Sequence, residues 1–360
     1  MAILKRSSHL RRFVYPIYRG LERSVHPLRY LFIEITQRCN LECRHCGSDC
    51  GKETRLDELS TAEWIDFFAY LPIHFDPKSL ILVITGGEPL CHPEFGRITE
   101  ALKRHGLSWG MVTNGYSLTP GRLKKLMADG LASITISLDG LEASHDWLRG
   151  RRGAFKRALA AIGLVAQSGI GLFDVVTCVN PRNLQELPAV EELLRGLGVP
   201  AWRLFSIFPK GRARKNTELI LSNDQTLDLF NWIAQRRRGL GGGGFSLEFC
   251  CEGYLPAGTD RAVRDDPFFC RAGINIGSVL CDGAISACPN ISRQFVQGNI
   301  RHDDFKDVWE NRYQRMRQRD WMRQGDCRTC KEWTRCQGNS LHLWDDEANR
   351  PVRCFKEICF

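Results

Sequence analysis

Between residues 29 and about 209, short apolar runs rich in β-branched residues alternate with longer stretches whose apolar positions recur every three to four residues. The short runs, 30–36, 80–85, 110–113, 133–138, 171–179 and 202–208, predict six strands. The periodic stretches, 61–71, 94–105, 120–129, 153–168 and 184–196, predict helices between them. Strict alternation of this kind predicts a parallel sheet with its helices outside, and six strands fall short of the eight of a closed barrel. Ahead of the first strand, Leu10, Phe13, Val14, Ile17, Tyr18 and Leu21 recur at helical spacing among arginines. Pro16 lies inside that pattern and is expected to break or restart the helix. Such an arm could cap the bottom of a barrel, or bind a peptide or a membrane surface. The glycine-rich run 239–244 predicts a flexible connector, so the expected division is an arm at 1–28, a core at 29–240 and a further domain at 241–360.

Cysteine changes the picture. Cys39, Cys43 and Cys46, spaced C-x3-C-x2-C, follow directly on the first predicted strand. Thiolates this close suit a metal centre, but a zinc site wants four ligands in two short pairs, and the bacterial ferredoxin run is C-x2-C-x2-C-x3-C-P. Cys50 could be a fourth ligand, since Cys43, Cys46 and Cys50 reproduce part of that run. Three ligands alone would leave one iron of a [4Fe-4S] cube open to a substrate or cofactor.

Further motifs fall after the predicted strands, where α/β folds place ligands. They are Gly86-Gly87-Glu88-Pro89, Thr113-Asn114-Gly115 and Ser137-Leu138-Asp139-Gly140. The paired glycines would let backbone carbonyls approach an ammonium group, although Asn-Gly and Asp-Gly are also ordinary turn pairs. Arg203 and Gly211-Arg212-Ala213 near the sixth strand could meet a ligand carboxylate or simply be surface charge. Beyond the connector, Cys270 is followed by twelve residues, Gly283, four residues and Cys288, and then by Cys327-x2-Cys330-x5-Cys336 and Cys354. C-x2-C is zinc spacing too, so a zinc ribbon is the plain alternative there.

The C-x3-C-x2-C run with His45 before its last cysteine, the strand-end motifs and the C-terminal cysteine spacing together resemble the radical S-adenosylmethionine (SAM) superfamily with a C-terminal SPASM extension. The resemblance spans roughly residues 29–360 and implies a partial (β/α)6 TIM-like barrel followed by a small cysteine-rich SPASM domain. It implies that Cys39, Cys43 and Cys46 hold the [4Fe-4S] cluster whose open iron is chelated by SAM. Gly86, Gly87, Glu88, Asn114, Ser137 and Asp139 would line the SAM pocket, with Ser137 and Asp139 on the ribose. Cys327, Cys330, Cys336 and Cys354 would hold an outer auxiliary [4Fe-4S] cluster, and Cys270 and Cys288 an inner one. The pattern's remaining cysteine falls on Ser340, so the inner site would use Cys251 or Cys281, keep an open iron, or be absent.

The resemblance also implies a peptide or protein substrate undergoing maturation and an electron donor such as flavodoxin or ferredoxin. The segments C-P-N-I-S-R and C-Q-G-N-S resemble a subgroup associated with small lipoproteins. A small-molecule substrate such as an aminoglycoside or sugar, or an iron–sulfur scaffold that no longer cleaves SAM, are the competing readings.

Charge and composition narrow the setting. The net charge is +9, but seven basic residues against Glu22 in residues 1–30 contribute +6 of it. The basic character is therefore local, and a nucleic-acid partner is not expected. No apolar run of about 18 residues predicts a spanning helix, and the N-terminus lacks the apolar segment of a secretory signal. Sixteen cysteines in such a chain point to metal or catalysis and to a cytoplasmic setting.

Overall fold

The structure, a computed structural model, describes residues 8–239, 244–250, 253–345 and 347–359, with side chains from residue 14 onward. The connector at 240–243 and Cys251 lie outside the described residues.

Six strands form where the sequence predicts them: β1 (Tyr30–Glu34), β2 (Ile81–Thr85), β3 (Ser108–Thr113), β4 (Leu131–Ser137), β5 (Leu172–Val179) and β6 (Ala201–Ser206). The helices between them are α2 (Thr61–His74), α3 (Phe95–Arg104), α4 (Pro120–Ala128), α5 (Glu142–Arg149), α6 (Ala154–Ala166) and α7 (Leu187–Gly196). Local chemistry starts several of them. Ser60 and Glu63 form a reciprocal capping box on α2, and Thr119 caps α4 ahead of Pro120. α5 was not expected, nor was α8 (Asn223–Gly239), whose polar residues outweigh its apolar stripe.

The sheet is larger than expected. β7 (Ser246–Phe249) adds parallel to β6, and β8 (Ile276–Val279) adds parallel to β1, followed antiparallel by β9 (Ala284–Ser286) and β10 (Gly298–Asn299). The strand order β10-β9-β8-β1-β2-β3-β4-β5-β6-β7 thus draws both strands flanking the cysteine-dense region into one sheet, across the 240/241 boundary expected from composition. Tyr30 pairs with Ile276 on one side of β1 and with Ile81 on the other.

Strand alternation separates two faces. In β5, Phe173, Val175, Thr177 and Val179 are buried while Asp174, Val176 and Cys178 are half-buried. In β6, Trp202 and Leu204 are buried while Arg203 and Phe205 are half-buried. The buried set packs with Trp64, Trp109, Trp202 and Phe68 in a continuous core. On the opposite face Arg203 pairs with Asp174 and donates to Thr135 Oγ1 at 3.2 Å, lacing β4, β5 and β6 together. That guanidinium, one candidate for a ligand carboxylate, is spent on the strands.

The arm forms α1 (Ser8–Val25), which runs through Pro16 without the expected break. An interior proline costs a helix about 3 kcal/mol, and tertiary anchors on both sides of it offset that. Tyr15 donates to Pro267 O at 2.5 Å, Arg19 to Arg335 O at 2.7 Å, and Asn275 Nδ2 to Glu22 Oε2 at 2.6 Å. Arg19 and Arg23 also stack over the Phe269 ring at 5.2 and 5.7 Å. The docked face is therefore polar, with Arg19 and Glu22 buried, while Ile17, Leu21 and Val25 stay exposed. Replacing Arg19 with Ala should remove a charge-assisted anchor worth about 1.5–3 kcal/mol. Limited proteolysis ahead of Val25 should accelerate while the sheet stays protected.

Candidate functional site

The loop from Arg38 to Gly51 carries Cys39, Cys43, Cys46 and Cys50 and has neither helix nor ladder of its own beyond one bridge between its ends. Neighbouring strand ends meet its backbone groups from three sides. From the β2 end, Gly87 N donates to Thr36 O at 2.7 Å and Glu88 N to Arg38 O at 2.9 Å. From α5 and the turn after it, Leu148 O and Arg149 O accept from Arg44 N and Glu42 N, and Arg151 Nη1 donates to Asn40 O at 2.6 Å. From beyond β6, Arg212 donates through Nε to Cys43 O and through Nη1 to Cys50 O, both at 2.7 Å, and its amide reaches Cys46 O at 2.9 Å.

Three glycines are demanded by this contact. A Cβ on Gly86 would stand 2.4 Å from Thr36 O, and one on Gly87 would stand 2.4 Å from Arg38 O. Gly211, at φ +54°, would place a Cβ 2.3 Å from Cys46 O. The Gly86-Gly87 pair thus has a first duty to the cysteine loop. Arg212 is likewise neither surface charge nor a free ligand cation.

Cys39, Cys43 and Cys46 converge around Leu41, Ala154 and Tyr116. Each sulfur already has a donor: Leu41 N on Cys39 at 3.5 Å, Arg149 Nη1 on Cys43 at 3.7 Å, and Cys50 N on Cys46 at 3.4 Å. Asn114 Nδ2 also lies 3.9 Å from Cys39 Sγ. The Cys50 thiol is buried and hydrogen-bonds Cys46, an arrangement that moves Cys46 down to about 6 and Cys50 up. Burial pushes the Cys39 thiol up to about 12 and Cys43 upward too, so stable thiolates there call for a cation such as iron.

The remaining expected pocket residues divide into braces and open positions. Glu88 is fully buried and accepts from Thr113 Oγ1 and Asn114 N, both at 2.8 Å, and from Leu90 N. Its carboxylate ties β2 to β3. Asn114 donates to Asn40 Oδ1 at 2.8 Å, beside Cys39. Ser137 is buried at the end of β4. Asp139 was expected at the ribose, but Oδ2 accepts from Arg149 Nε at 2.5 Å and Oδ1 from Cys178 N at 2.8 Å. Burial would raise its pKa, yet the Arg149 guanidinium holds it below the ordinary value. Donor atoms of His45, Asp139 and Cys178 lie within 4.8 Å of one another, but Arg149 already supplies the positive charge at Asp139. His45, its Nδ1 enclosed without a partner, is pushed down to about 4 by burial and by Arg149.

In the C-terminal region Cys327, Cys330, Cys336 and Cys354 line one cavity of about 30 Å³, with Lys356 Nζ 3.9 Å from Cys330 Sγ. Among the described residues no three of these sulfurs stand within 4.8 Å of one another. Cys270 and Cys288 interact with each other, apart from that cavity. Burial works to raise Cys270, but Arg319 and the amides of Leu341 and Ala272 hold it below its ordinary value. Ser340 is fully buried. Cys281 hydrogen-bonds Glu34 at the end of β1.

A cleft of about 320 Å³ opens between these regions, reached by Gly47 of the cysteine loop, Phe208 and Lys210 beyond β6, Asn290 just after Cys288, and Trp344. Sequence reasoning missed Arg149, although His145-Asp146-x2-Arg149 after Asp139-Gly140 has the spacing of a helix face turned back onto the strand end.

A model of the radical SAM superfamily matches residues 33–194, and a model of the iron–sulfur cluster-binding domain SPASM matches residues 270–331. The AdoMet-dependent heme synthase of Methanosarcina barkeri is 28% identical over 327 residues, which cover 86% of this chain and 90% of that protein. The mycofactocin maturase MftC of Mycobacterium tuberculosis is 28% identical over 347 residues, covering 93% of this chain and 83% of that one. Native anSMEcpe with bound AdoMet and Cp18Cys peptide superposes with a TM-score of 0.70 at 17% identity, over 92% of this chain and 94% of that chain. The shared architecture is the partial TIM-like α/β barrel with its C-terminal extension.

Two substitutions test the cradle. Gly87→Ala drives a methyl group into the Arg38 carbonyl and should cost about four irons per chain after anaerobic reconstitution, read by iron analysis. Arg149→Met strands the Asp139 carboxylate and should destabilise the protein by about 3–5 kcal/mol, measured by denaturant unfolding, with Asp139→Asn in the same background recovering part of the loss.

Proposed function

Because the chain belongs to the radical SAM superfamily and carries a C-terminal SPASM domain, we propose that it cleaves SAM reductively and abstracts hydrogen from a peptide or protein undergoing maturation. In this reading Cys39, Cys43 and Cys46 hold the SAM-binding cluster, and Cys327, Cys330, Cys336 and Cys354 an auxiliary one. With SAM bound, the first cluster supplies a 5′-deoxyadenosyl radical. The chain's own residues hold and shield that chemistry. Arg149, Asn114 and the Cys50 amide donate to the three sulfurs, while Glu88 and Asp139 fix the strand ends from which those donors project. Cys50 acts as a donor to Cys46 and not as a fourth ligand. SAM itself would lie along the Gly86, Asn114 and Ser137 strand ends.

The observation that carries the peptide reading is the cleft. It joins the cysteine loop to the segment after Cys288 and mixes Phe208 and Trp344 with Lys210, Arg214, Asp345 and Glu347. Charges of both signs beside aromatic walls suit a polypeptide, whereas a porphyrin bearing several carboxylates would meet Asp345 and Glu347 unfavourably. The relatedness to a heme synthase makes a porphyrin the second reading. The maturase MftC and the peptide-bound anSMEcpe support the first. The SAM-cleaving part would fall in residues 29–240 and the auxiliary part in 241–360, even though one sheet joins them. A flavodoxin or ferredoxin would deliver the electron. A reducing cytoplasm suits the described cysteines, none of which forms a disulfide. No helix among the described residues is long and apolar enough to cross a membrane.

Anaerobic reduction with SAM should release 5′-deoxyadenosine, and replacing Cys39, Cys43 and Cys46 together with Ala should abolish it while iron stays at the C-terminal sites. Peptides encoded beside the gene should change mass on incubation. Turnover of a porphyrin precursor with no peptide modified would overturn the substrate assignment.

A further inference from the structure

Among the described residues, the SPASM spacing assigns the inner auxiliary site two thiols, Cys270 and Cys288, and a buried serine where it would put another. Cys281 hydrogen-bonds Glu34. A different donor does stand at this site. His342 is nine-tenths buried in the short turn Leu341–Leu343, and its Nε2 has no hydrogen-bond partner. The residue before it, Leu341, presents its amide to Cys270. Lys210 lies beside both His342 and Cys288. The imidazole ring packs on Phe208 at 4.6 Å between ring centroids. The Leu341 amide on Cys270, and Lys210 acting on both His342 and Cys288, put His342 in the same neighbourhood as the two thiols.

We propose that His342 binds iron through Nε2 and joins Cys270 and Cys288 in a mixed thiolate–imidazole set for the inner auxiliary cluster. The inference rests on the SPASM reading above. A buried imidazole nitrogen without a partner is costly to the fold unless a ligand takes it, and imidazole is a competent ligand for iron. Donor atoms of Cys270, Cys288 and His342 do not all lie within 4.8 Å of one another, so each would sit on a different iron and not around a single ion. Substituting histidine for thiolate on an iron–sulfur cluster raises its reduction potential. The inner cluster would then be the better electron acceptor of the two auxiliary sites and would face the cleft that Phe208 and Lys210 line.

The test uses the full chain, labelled with ¹⁵N-histidine, reconstituted anaerobically with iron and sulfide without SAM, and reduced for pulsed electron paramagnetic resonance. A nitrogen coupling that responds to the label is expected in the parent protein and should vanish in His342→Ala, together with about four irons per chain. His342→Cys should keep the iron, lose the coupling and lower the potential of that cluster. Cys270→Ala and Cys288→Ala should lose the same iron as His342→Ala, while circular dichroism reports an intact fold. Absence of any label-sensitive coupling in the parent overturns the proposal, as does a His342→Ala protein that keeps both iron and coupling. Release of 5′-deoxyadenosine, which depends on Cys39, Cys43 and Cys46, is measured in parallel, so failure here is distinguishable from failure of the radical SAM reading.

Discussion

Residues 38–51 form no helix and only one bridge, so their peptide groups must be satisfied from outside the loop. Buried peptide groups must find partners, so carbonyls at Asn40, Cys43, Cys46 and Cys50 are met by Arg151 and Arg212, and amides at Glu42 and Arg44 by the end of α5. The positions that look like ligand motifs in the sequence are largely the supports of this loop. Gly86, Gly87 and Gly211 have no side chain because the loop's carbonyls occupy that space. The geometry of the cysteines is therefore a property of three strand ends at once.

The Asp139–Arg149 pair extends the same logic into electrostatics. A buried ion pair contributes little net stability but is expensive to break, and here each partner has a second duty. Asp139 accepts the Cys178 amide at the end of β5, and Arg149 reaches the Cys43 sulfur. A fixed guanidinium near a ligating sulfur stabilises negative charge there and so bears on the potential of any cluster it serves. Asp139 fixes the guanidinium, which makes it a positioning residue for Cys43 although it sits where a ribose contact was expected.

Much of this architecture is legible in the sequence. The six strands and five of the helices come from apolar periodicity, because each strand alternates one helix-facing set with one half-open set. β7 and β8 are not legible, being four residues each, too short for a periodicity to stand out from the glycine- and cysteine-rich stretch around them. The unbroken α1 escapes sequence reasoning because propensity at Pro16 is local, while the bonds that outweigh it reach residues 267, 275 and 335. Cysteine spacing groups Cys327, Cys330, Cys336 and Cys354, which do share one cavity. Side-chain roles are harder: the bonds of Glu88 to Thr113 and Asn114 and of Asp139 to Arg149 and Cys178 depend on which way a strand-end carboxylate turns, and that leaves no mark in the sequence.

The pairing of β8 with β1 has a consequence that domain counting hides. It holds the chain of Cys270 and Cys288 in register with the strand that leads into Cys39. The distance between the first cysteine loop and the inner pair is thereby set by backbone hydrogen bonds within one sheet and not by a hinge between bodies. α1 reinforces this from the other side, since Glu22 bonds Asn275 just before β8 and Arg29 just before β1. An enzyme that must pass an electron from a substrate radical to an auxiliary cluster needs that separation constant through the reaction, and a shared sheet supplies it more rigidly than a docked domain could. The basic arm then bears on that spacing: loosening it would be felt at the join between β1 and β8, far from the exposed Ile17, Leu21 and Val25 face.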